Sequence, residues 1–405
     1  MKLICSDFII TCDDNFNIIE NGAILFDKNI KKVATKEELL KESPEAELIE
    51  LEKNSVIMPS FSNPHVHLEF SGNKTTLKYS KFIDWLNSVI EHREDLIEKC
   101  SNTIETAIDE MLKSGIGTIG AVSSYGFDLE AVTNSKLKTV FFNEAIGSKP
   151  DMVDALYGDF LSRLGESQKH NSDRFRASIA IHSPYSIHPI LTKKILQIAK
   201  DENILVSSHF LESKAEIDWL TKSKGDFVDF FKNFLNQSKS LITPIEFINQ
   251  FRDVKALFVH NLEADEAIFN EMKNFDIDLI TCPRSNRFLN NRVLDLDKVK
   301  DFNLSIATDG LSSNSSLNMF DELRASLLSY PTRELNSFAK ELLLQSTKNP
   351  AKSLGFNNGE IRESKSSDFI AISLPDKTDI ESLPLNIILH TKEVTQNYID
   401  GERII

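Results

Sequence analysis

The chain has 405 residues, of which 41% are hydrophobic and 26% are charged, a composition typical of folded globular proteins rather than of disordered or fibrous ones. Its net charge of −15 argues against a nucleic acid or an anionic membrane surface as a partner. The four cysteines form no CxxC pair, the first residues lack the apolar core of a signal peptide, and no apolar run approaches the length that crosses a bilayer. These features predict a cytoplasmic protein.

Both ends of the chain carry short β-like runs. The first set lies at 3–4, 8–10 and 23–26, with the turn-forming pair Asn21 and Gly22 before its last run, and the second set lies at 368–373, 385–390, 393–395 and 403–405. Neither set is large enough to form a good core alone. We therefore expect residues 1–55 and 357–405 to combine into one small β domain that brackets the middle of the chain.

The middle of the chain, residues 56–356, alternates between strand-like and helix-like patterns. The apolar runs that predict strands are 56–63, 116–122, 138–143, 177–182, 204–209, 256–260, 277–282 and 304–309. Between them, 103–114 shows a helical stripe that ends at Gly115. Eight strands alternating with helices predict an α/β fold of the (β/α)8 (TIM) barrel type. An open doubly wound sheet is the alternative, but no Gly-rich phosphate loop follows any run.

Potential metal ligands and catalytic groups stand where several of these runs end. They are His65 and His67 after the first run, His182 after the fourth, His209 after the fifth, His260 after the sixth and Asp309 after the eighth. Barrel enzymes carry their chemistry at the carboxyl ends of their strands, so these side chains are expected to converge. As simpler alternatives, His182 could be a core or capping residue and Asp309 could cap a turn.

Two further features concern the first and fifth runs. His65 and His67 are two residues apart, so on a strand their imidazoles share one face and can bind one metal ion. Glu212 follows His209 by three residues and should lie at the rim of the pocket. Its carboxylate could favour the start of a helix, but we interpret it as a catalytic residue.

Several motifs carry a resemblance to a known family. They are Pro64-His-Val-His67, His209-Phe-Leu-Glu212, Val259-His-Asn261, Cys282-Pro-Arg-Ser-Asn286 and Thr308-Asp-Gly-Leu-Ser-Ser-Asn314. Together they resemble the amidohydrolase superfamily, in its deaminase and chlorohydrolase-like branch. The resemblance covers nearly the whole chain and implies a barrel with a β-sandwich-like domain from both termini.

The resemblance also implies a metal-dependent aminohydrolase. The metal ligands that the resemblance implies are His65, His67, His209 and Asp309. The segment near the fourth run lacks the lysine of binuclear relatives, so we expect one divalent ion. Nitrogen and oxygen ligands favour zinc, with iron or manganese as alternatives. Asp309 would accept a proton from the attacking water, His260 would orient that water, and Glu212 would protonate a ring nitrogen of the substrate.

The expected substrate is an adenine nucleoside deaminated at C6. Enzymes of that kind are resembled both by the segment from Trp85 to Glu94 and by His182. The resemblance implies that Glu94 binds the ribose and that His182 contacts the purine. Glu91 is an alternative to Glu94 as the ribose-binding residue. The resemblance favours 6-amino-6-deoxyfutalosine, an intermediate of menaquinone biosynthesis, as the substrate. Its benzoate requires a cation, for which Arg284 and Arg287 are candidates. Ser313 and Asn314 are further candidate contacts.

Other functions remain open at this point. The nearest alternatives are deamination of 5′-methylthioadenosine or S-adenosylhomocysteine, followed by guanine deamination or triazine chlorohydrolysis. A metal-dependent amidase would not need Glu212 as a proton donor, and an inactive scaffold would not need the full set of metal ligands. A homodimer is one option for the assembly.

Overall fold

The computed structural model describes residues 1–72, 74–98 and 100–405. In these residues the chain forms two eight-stranded sheets, one closed into a barrel and one built from both ends of the chain. None of the described helices is both long and apolar enough to cross a membrane.

The amino-terminal part of the chain supplies five strands and one helix of the terminal sheet. They are β1 (Lys2–Ile10), β2 (Ile18–Phe26), β3 (Ile30–Thr35), α1 (Lys36–Glu42), β4 (Glu47–Glu50) and β5 (Ser55–Pro59). β1 pairs antiparallel with β2 and parallel with β4 and β5. The prediction of a turn at Asn21 and Gly22 is wrong, because both lie inside β2. The connection from β1 to β2 is instead closed by the Thr11 N–H, which donates to the Asn17 carbonyl at 3.0 Å.

The barrel strands are parallel and lie in chain order around the sheet. They are β6 (Phe61–Val66), β7 (Ile116–Ser123), β8 (Lys138–Ala145), β9 (Phe175–Ile181), β10 (Val206–Phe210), β11 (Ala256–His260), β12 (Ile277–Thr281) and β13 (Leu304–Ile306). Just beyond the end of β13, the Asp309 N–H donates to the His65 carbonyl at 3.1 Å and links the last strand to the first. The predicted (β/α)8 barrel is confirmed.

Helices connect the barrel strands and pack around them. They are α2 (Phe82–Glu91), α3 (Arg93–Glu98), α4 (Cys100–Lys113), α5 (Leu129–Asn134), α6 (Val153–Gln168), α7 (Pro189–Asp201), α8 (Lys214–Lys222), α9 (Phe227–Leu235), α10 (Pro244–Gln250), α11 (Glu266–Met272), α12 (Pro283–Asn290), α13 (Met319–Ser329), α14 (Leu335–Ser346) and α15 (Lys348–Leu354). In α4 the buried side chains of Ile104, Ala107 and Met111 form the predicted stripe, and Gly115, with φ +88°, follows its end.

The carboxyl-terminal part of the chain completes the terminal sheet. It supplies β14 (Phe369–Ser373), α16 (Leu383–His390), β15 (Gln396–Ile399) and β16 (Glu402–Arg403). The predictions of strands at 385–390 and 393–395 are wrong: the first run lies in α16, and the second lies outside any strand. Pro384 in the first turn and the buried Leu383, Ile387 and Ile388 fit a helix. A short apolar run does not distinguish a buried strand from a buried helix.

The two sheets meet at Ser60. The run 56–63 suggests one strand, but it forms β5 of the terminal sheet and β6 of the barrel, with Ser60 alone between them. At the same end of the barrel, Lys138 at the start of β8 forms buried ion pairs of 2.7 Å with Asp368 and Asp400. The barrel is therefore joined to the terminal sheet by the one-residue connection at Ser60 and by the buried ion pairs of Lys138.

Candidate functional site

Four potential metal ligands come together at the carboxyl ends of β6, β10 and β13. The Nε2 atoms of His67 and His209 are 3.1 Å apart. Oδ1 of Asp309 lies 3.6 Å from Nε2 of His65 and 3.8 Å from Nε2 of His67. The side chains of His65, His209 and Asp309 come from three different strand ends, so the barrel itself builds this cluster.

Hydrogen bonds outside the cluster fix the orientation of two of these ligands. The Nδ1–H of His209 donates to the His182 carbonyl at 2.7 Å, which leaves the Nε2 lone pair free to face the cluster. Oδ2 of Asp309 accepts from the Ser285 hydroxyl at 2.7 Å, and Oδ1 accepts from the Gly310 N–H at 2.7 Å. The carboxylate is therefore held in place before any ligand binds.

The chemistry of this cluster fits a divalent metal ion. Burial lowers the pKa of His67 to about 4 and lowers that of His209 well below its usual value, so both imidazoles are neutral, as metal ligands must be. His65 is fully buried, and neither of its ring nitrogens has a hydrogen-bond partner in the described part of the chain. An unpartnered buried polar atom is costly, and a cation at this point would satisfy Nε2.

His260 stands beside the four ligands and is also oriented from outside. Its Nδ1–H donates to Oδ1 of Asn286 at 2.8 Å, and the Asn286 amide donates to the Thr281 hydroxyl at 3.2 Å. Burial lowers the pKa of His260 to about 4. Its Nε2 is therefore an unprotonated acceptor, and it lies 3.8 Å from Oε1 of Glu212.

Glu212 is a buried carboxyl group that favours its protonated form. Burial raises its pKa well above the usual value, and the negative charges of Asp309 and Glu216 act in the same direction. At 6% exposure, it lines the cavity on the same side as His260. A carboxyl group kept protonated near neutral pH can donate a proton to a bound molecule.

Glu216, which the sequence analysis did not identify, positions Glu212. Its carboxylate accepts from the backbone N–H groups of Leu211 at 3.1 Å and Glu212 at 2.8 Å. Leu211 has φ +49°, a left-handed conformation that costs free energy in a residue other than glycine. Glu216 therefore stabilises the strained connection that presents Glu212. The sequence Ser213-Lys-Ala-Glu216 fits the capping-box pattern, in which a glutamate in the first helical turn reaches back to backbone N–H groups, so this pattern could have indicated the role.

The site opens into a cavity of about 510 Å³. A second buried carboxylate, Glu144 at the end of β8, also lines this cavity at 2% exposure. Its Oε2 accepts from the Ser124 hydroxyl at 2.5 Å, whereas Oε1 has no partner among the described residues. Glu144 is not among the residues predicted from the sequence, although it directly follows the strand-like run 138–143.

His182 lines the same cavity. Its Nδ1 lies 2.6 Å from the Ser186 hydroxyl and 3.0 Å from the Ser183 hydroxyl. These contacts occupy one ring nitrogen and leave the other available to a bound molecule.

The two arginines predicted to bind a carboxylate do not line the cavity. Arg284 is buried, and its guanidinium forms a 2.7 Å ion pair with Glu322 and hydrogen bonds with the 315–316 segment. Arg287 lies in α12, and its guanidinium donates to the side chain of Asn291.

The remaining predicted contacts also lie outside the cavity lining. Glu94 and Glu91 are exposed and do not line it. Ser313 and Asn314 are buried in the loop after β13, where the Ser313 hydroxyl donates to the Gly310 carbonyl and the Asn314 amide donates to the Thr308 carbonyl. The latter two side chains stabilise the loop that carries Asp309.

Comparison with known proteins places the chain in a family. The model of the Amidohydrolase family matches residues 56–404. The chain is 48% identical to aminodeoxyfutalosine deaminase from Nitratiruptor sp. over 95% of each chain, and 37% identical to an adenosine deaminase from Helicobacter pylori over the full length of both. The crystal structure of Helicobacter pylori aminofutalosine deaminase in complex with methylthio-coformycin superposes with a TM-score of 0.95, at 36% identity and over all of both chains. The chain therefore belongs to the amidohydrolase family.

Proposed function

We propose that the protein is a metal-dependent aminohydrolase that converts the 6-amino group of aminodeoxyfutalosine to a 6-oxo group and releases ammonia. The convergence of His65, His67, His209 and Asp309 beside a proton-retaining Glu212 is the observation that carries this proposal. The names of the relatives from Nitratiruptor and Helicobacter pylori support the choice of substrate. The reaction would place the protein in menaquinone biosynthesis.

The metal that we propose is a single zinc ion held by three imidazoles and the Asp309 carboxylate. Neutral imidazole nitrogens and a carboxylate oxygen are ligands that zinc prefers, and iron or manganese accept the same set. When bound, such an ion acidifies a water molecule, so a nucleophile is available near neutral pH.

The protein's own groups would handle the protons of the reaction. Asp309 accepts a proton from the attacking water, and the unprotonated Nε2 of His260 accepts a hydrogen bond that orients that water toward C6. Glu212 donates its proton to the ring nitrogen next to C6, so the attack does not leave a negative charge on the purine. The proton that Asp309 took from the water then goes to the amino group, which leaves as ammonia, while the new C6 hydroxyl returns a proton to the Glu212 carboxylate and becomes the 6-oxo group.

The cavity is large enough for a nucleoside, because small-molecule sites usually measure about 300–1,000 Å³ and this one measures about 510 Å³. We assign the purine to the deep end, where His182 and Glu212 lie. We assign the ribose hydroxyls to Glu144, whose Oε1 is an acceptor that has no donor within the part of the chain that the structure describes. Glu94, the residue expected from the sequence, does not line the cavity.

The proposal is tested by ammonia release from a panel of substrates. The panel contains aminodeoxyfutalosine, 5′-methylthioadenosine, S-adenosylhomocysteine, adenosine, guanine and a chlorinated triazine. We expect the highest kcat/KM for aminodeoxyfutalosine, with the adenine absorbance replaced by an inosine-like spectrum. Turnover of guanine or the triazine alone would contradict the proposal. A kcat/KM that is higher for 5′-methylthioadenosine than for aminodeoxyfutalosine would contradict the proposed substrate, while the proposed deamination reaction would stand.

A further inference from the structure

The mouth of the cavity is apolar. Trp85 and Ile90 of α2, Phe230 and Phe234 of α9, and Ile146 after β8 all line it. Several of these side chains are exposed to solvent, with 40% of Ile90, 43% of Ile146 and 55% of Phe234 accessible. Exposed apolar side chains around an opening favour a ligand whose outer part is apolar or aromatic.

One cation faces this apolar mouth. Arg93, at the start of α3, is the only lysine or arginine among the described residues that line the cavity. Its guanidinium carbon lies 4.8 Å from the centre of the Tyr125 ring. Within the described ranges, no carboxylate lies within 4.0 Å of this guanidinium. Its positive charge is therefore not neutralised by an ion pair.

The aromatic ring under Arg93 is held in a fixed position. The backbone N–H groups of Ser124, Tyr125 and Phe127 all donate to the buried carboxylate of Glu69, at distances of 2.7 to 3.2 Å. The rings of Tyr125 and Phe127 stack with their centres 5.6 Å apart. The Glu69 carboxylate thus fixes the backbone that carries the Tyr125 ring, and the Phe127 ring packs against this ring.

The part of the mouth formed by α2 is fixed as well. The indole N–H of Trp85 donates to the Ser312 carbonyl at 2.8 Å, which ties α2 to the loop after β13. Ser312 lies in the same loop as Asp309, so the mouth and the metal ligands share one rigid connection.

We infer that Arg93, which lies over the Tyr125 ring, binds the carboxylate at the end of an aromatic substrate arm, while the apolar mouth packs against the arm itself. This inference rests on the proposed function, because the benzoate of aminodeoxyfutalosine is such an arm. A guanidinium has five N–H donors, so its contact with Tyr125 leaves others that match a carboxylate in a bidentate arrangement. The site would select for this substrate over nucleosides with a neutral 5′ group.

The inference is tested by the ratio of kcat/KM for aminodeoxyfutalosine to kcat/KM for 5′-methylthioadenosine, which has no carboxylate. In Arg93→Gln this ratio should fall by about 10- to 100-fold, mainly through KM, the usual size of a lost charge-assisted hydrogen bond. The matched control is Arg252→Gln. Arg252 also lies over an aromatic ring, that of Phe275, but neither residue lines the cavity. This control should leave the ratio unchanged.

A modified substrate gives a second measurement that does not depend on the variant alone. With the wild-type enzyme, kcat/KM for the methyl ester should be lower than kcat/KM for aminodeoxyfutalosine by the same factor. In Arg93→Gln, kcat/KM for the ester should not fall any further. An unchanged ratio in Arg93→Gln overturns the inference and leaves the proposed function intact, whereas a wild-type enzyme that deaminates neither nucleoside overturns both. If the wild-type enzyme prefers adenosine 5′-monophosphate and Arg93→Gln loses this preference, Arg93 binds a phosphate group instead. This result would also overturn the inference.

Discussion

The substitution Glu212→Gln separates proton donation from every other role of this side chain. Burial raises the pKa of Glu212 well above its usual value and so favours the protonated carboxyl group, and glutamine has the same shape and a similar polarity. Glu216 binds the backbone N–H of residue 212 rather than its side chain, so the local fold should persist. We therefore expect kcat to fall by about 10²- to 10⁴-fold, the usual contribution of a general acid, or about 3 to 5 kcal/mol of activation free energy, with little change in KM.

The assay is ammonia release under saturating substrate, with metal content and thermal unfolding measured on the same preparations. Glu263→Gln is a suitable control, because Glu263 lies in the connection after β11, at the same end of the barrel as Glu212, and does not line the cavity. The reasoning would be refuted if Glu212→Gln kept most of its kcat. It would also fail if the loss of activity came with loss of the bound metal, since Glu212 would then act as a ligand.

Three further results are expected. A chelator should remove activity and one equivalent of zinc should restore it; elemental analysis showing two tightly bound ions per active chain would contradict a single site. Burial raises the pKa of Glu216 from 4.5 to about 8, so between these pH values the folded chain keeps a proton that the unfolded chain has lost. The urea midpoint of unfolding should therefore fall as pH rises from about 5 to 8. In Glu216→Gln the midpoint should depend less on pH, and an unchanged pH dependence would contradict this explanation. Gly120→Ala should destabilise the fold by about 1–3 kcal/mol, because its Cβ would lie 2.2 Å from the Pro64 carbonyl oxygen. Gly158→Ala, in α6 with nothing within 4 Å, should instead stabilise it by about 0.5–1 kcal/mol, and equal urea midpoints for the two variants would refute this packing argument.

The barrel and the convergence of the histidines could be predicted because both follow from local patterns. A run of apolar residues of strand length indicates a buried strand, and the barrel topology then brings the ends of all such strands to one face. His65, His209 and His260 each lie at such an end, so their proximity required no knowledge of long-range packing. Glu144 obeys the same rule and could have been found by it.

The substrate contacts could not be predicted in this way. Arg284 does follow a barrel strand, but Glu322, 38 positions later, takes up its charge in a buried ion pair. Whether a charged side chain is free depends on such distant partners, which a single sequence does not show. Arg93 lies in a polar helical segment with no distinguishing pattern, and only the position of Tyr125 reveals its orientation.

The junction at Ser60 has a consequence for how the enzyme matures. β5 ends one residue before β6 begins, and β5 is paired along its length with β14, which lies more than 300 positions further along the chain. During synthesis, β5 can therefore pair with β1 early, but it lacks its second neighbour until β14 has been made. Metal capture should accordingly be a late event, and loss of the final strands should impair a centre that they never touch.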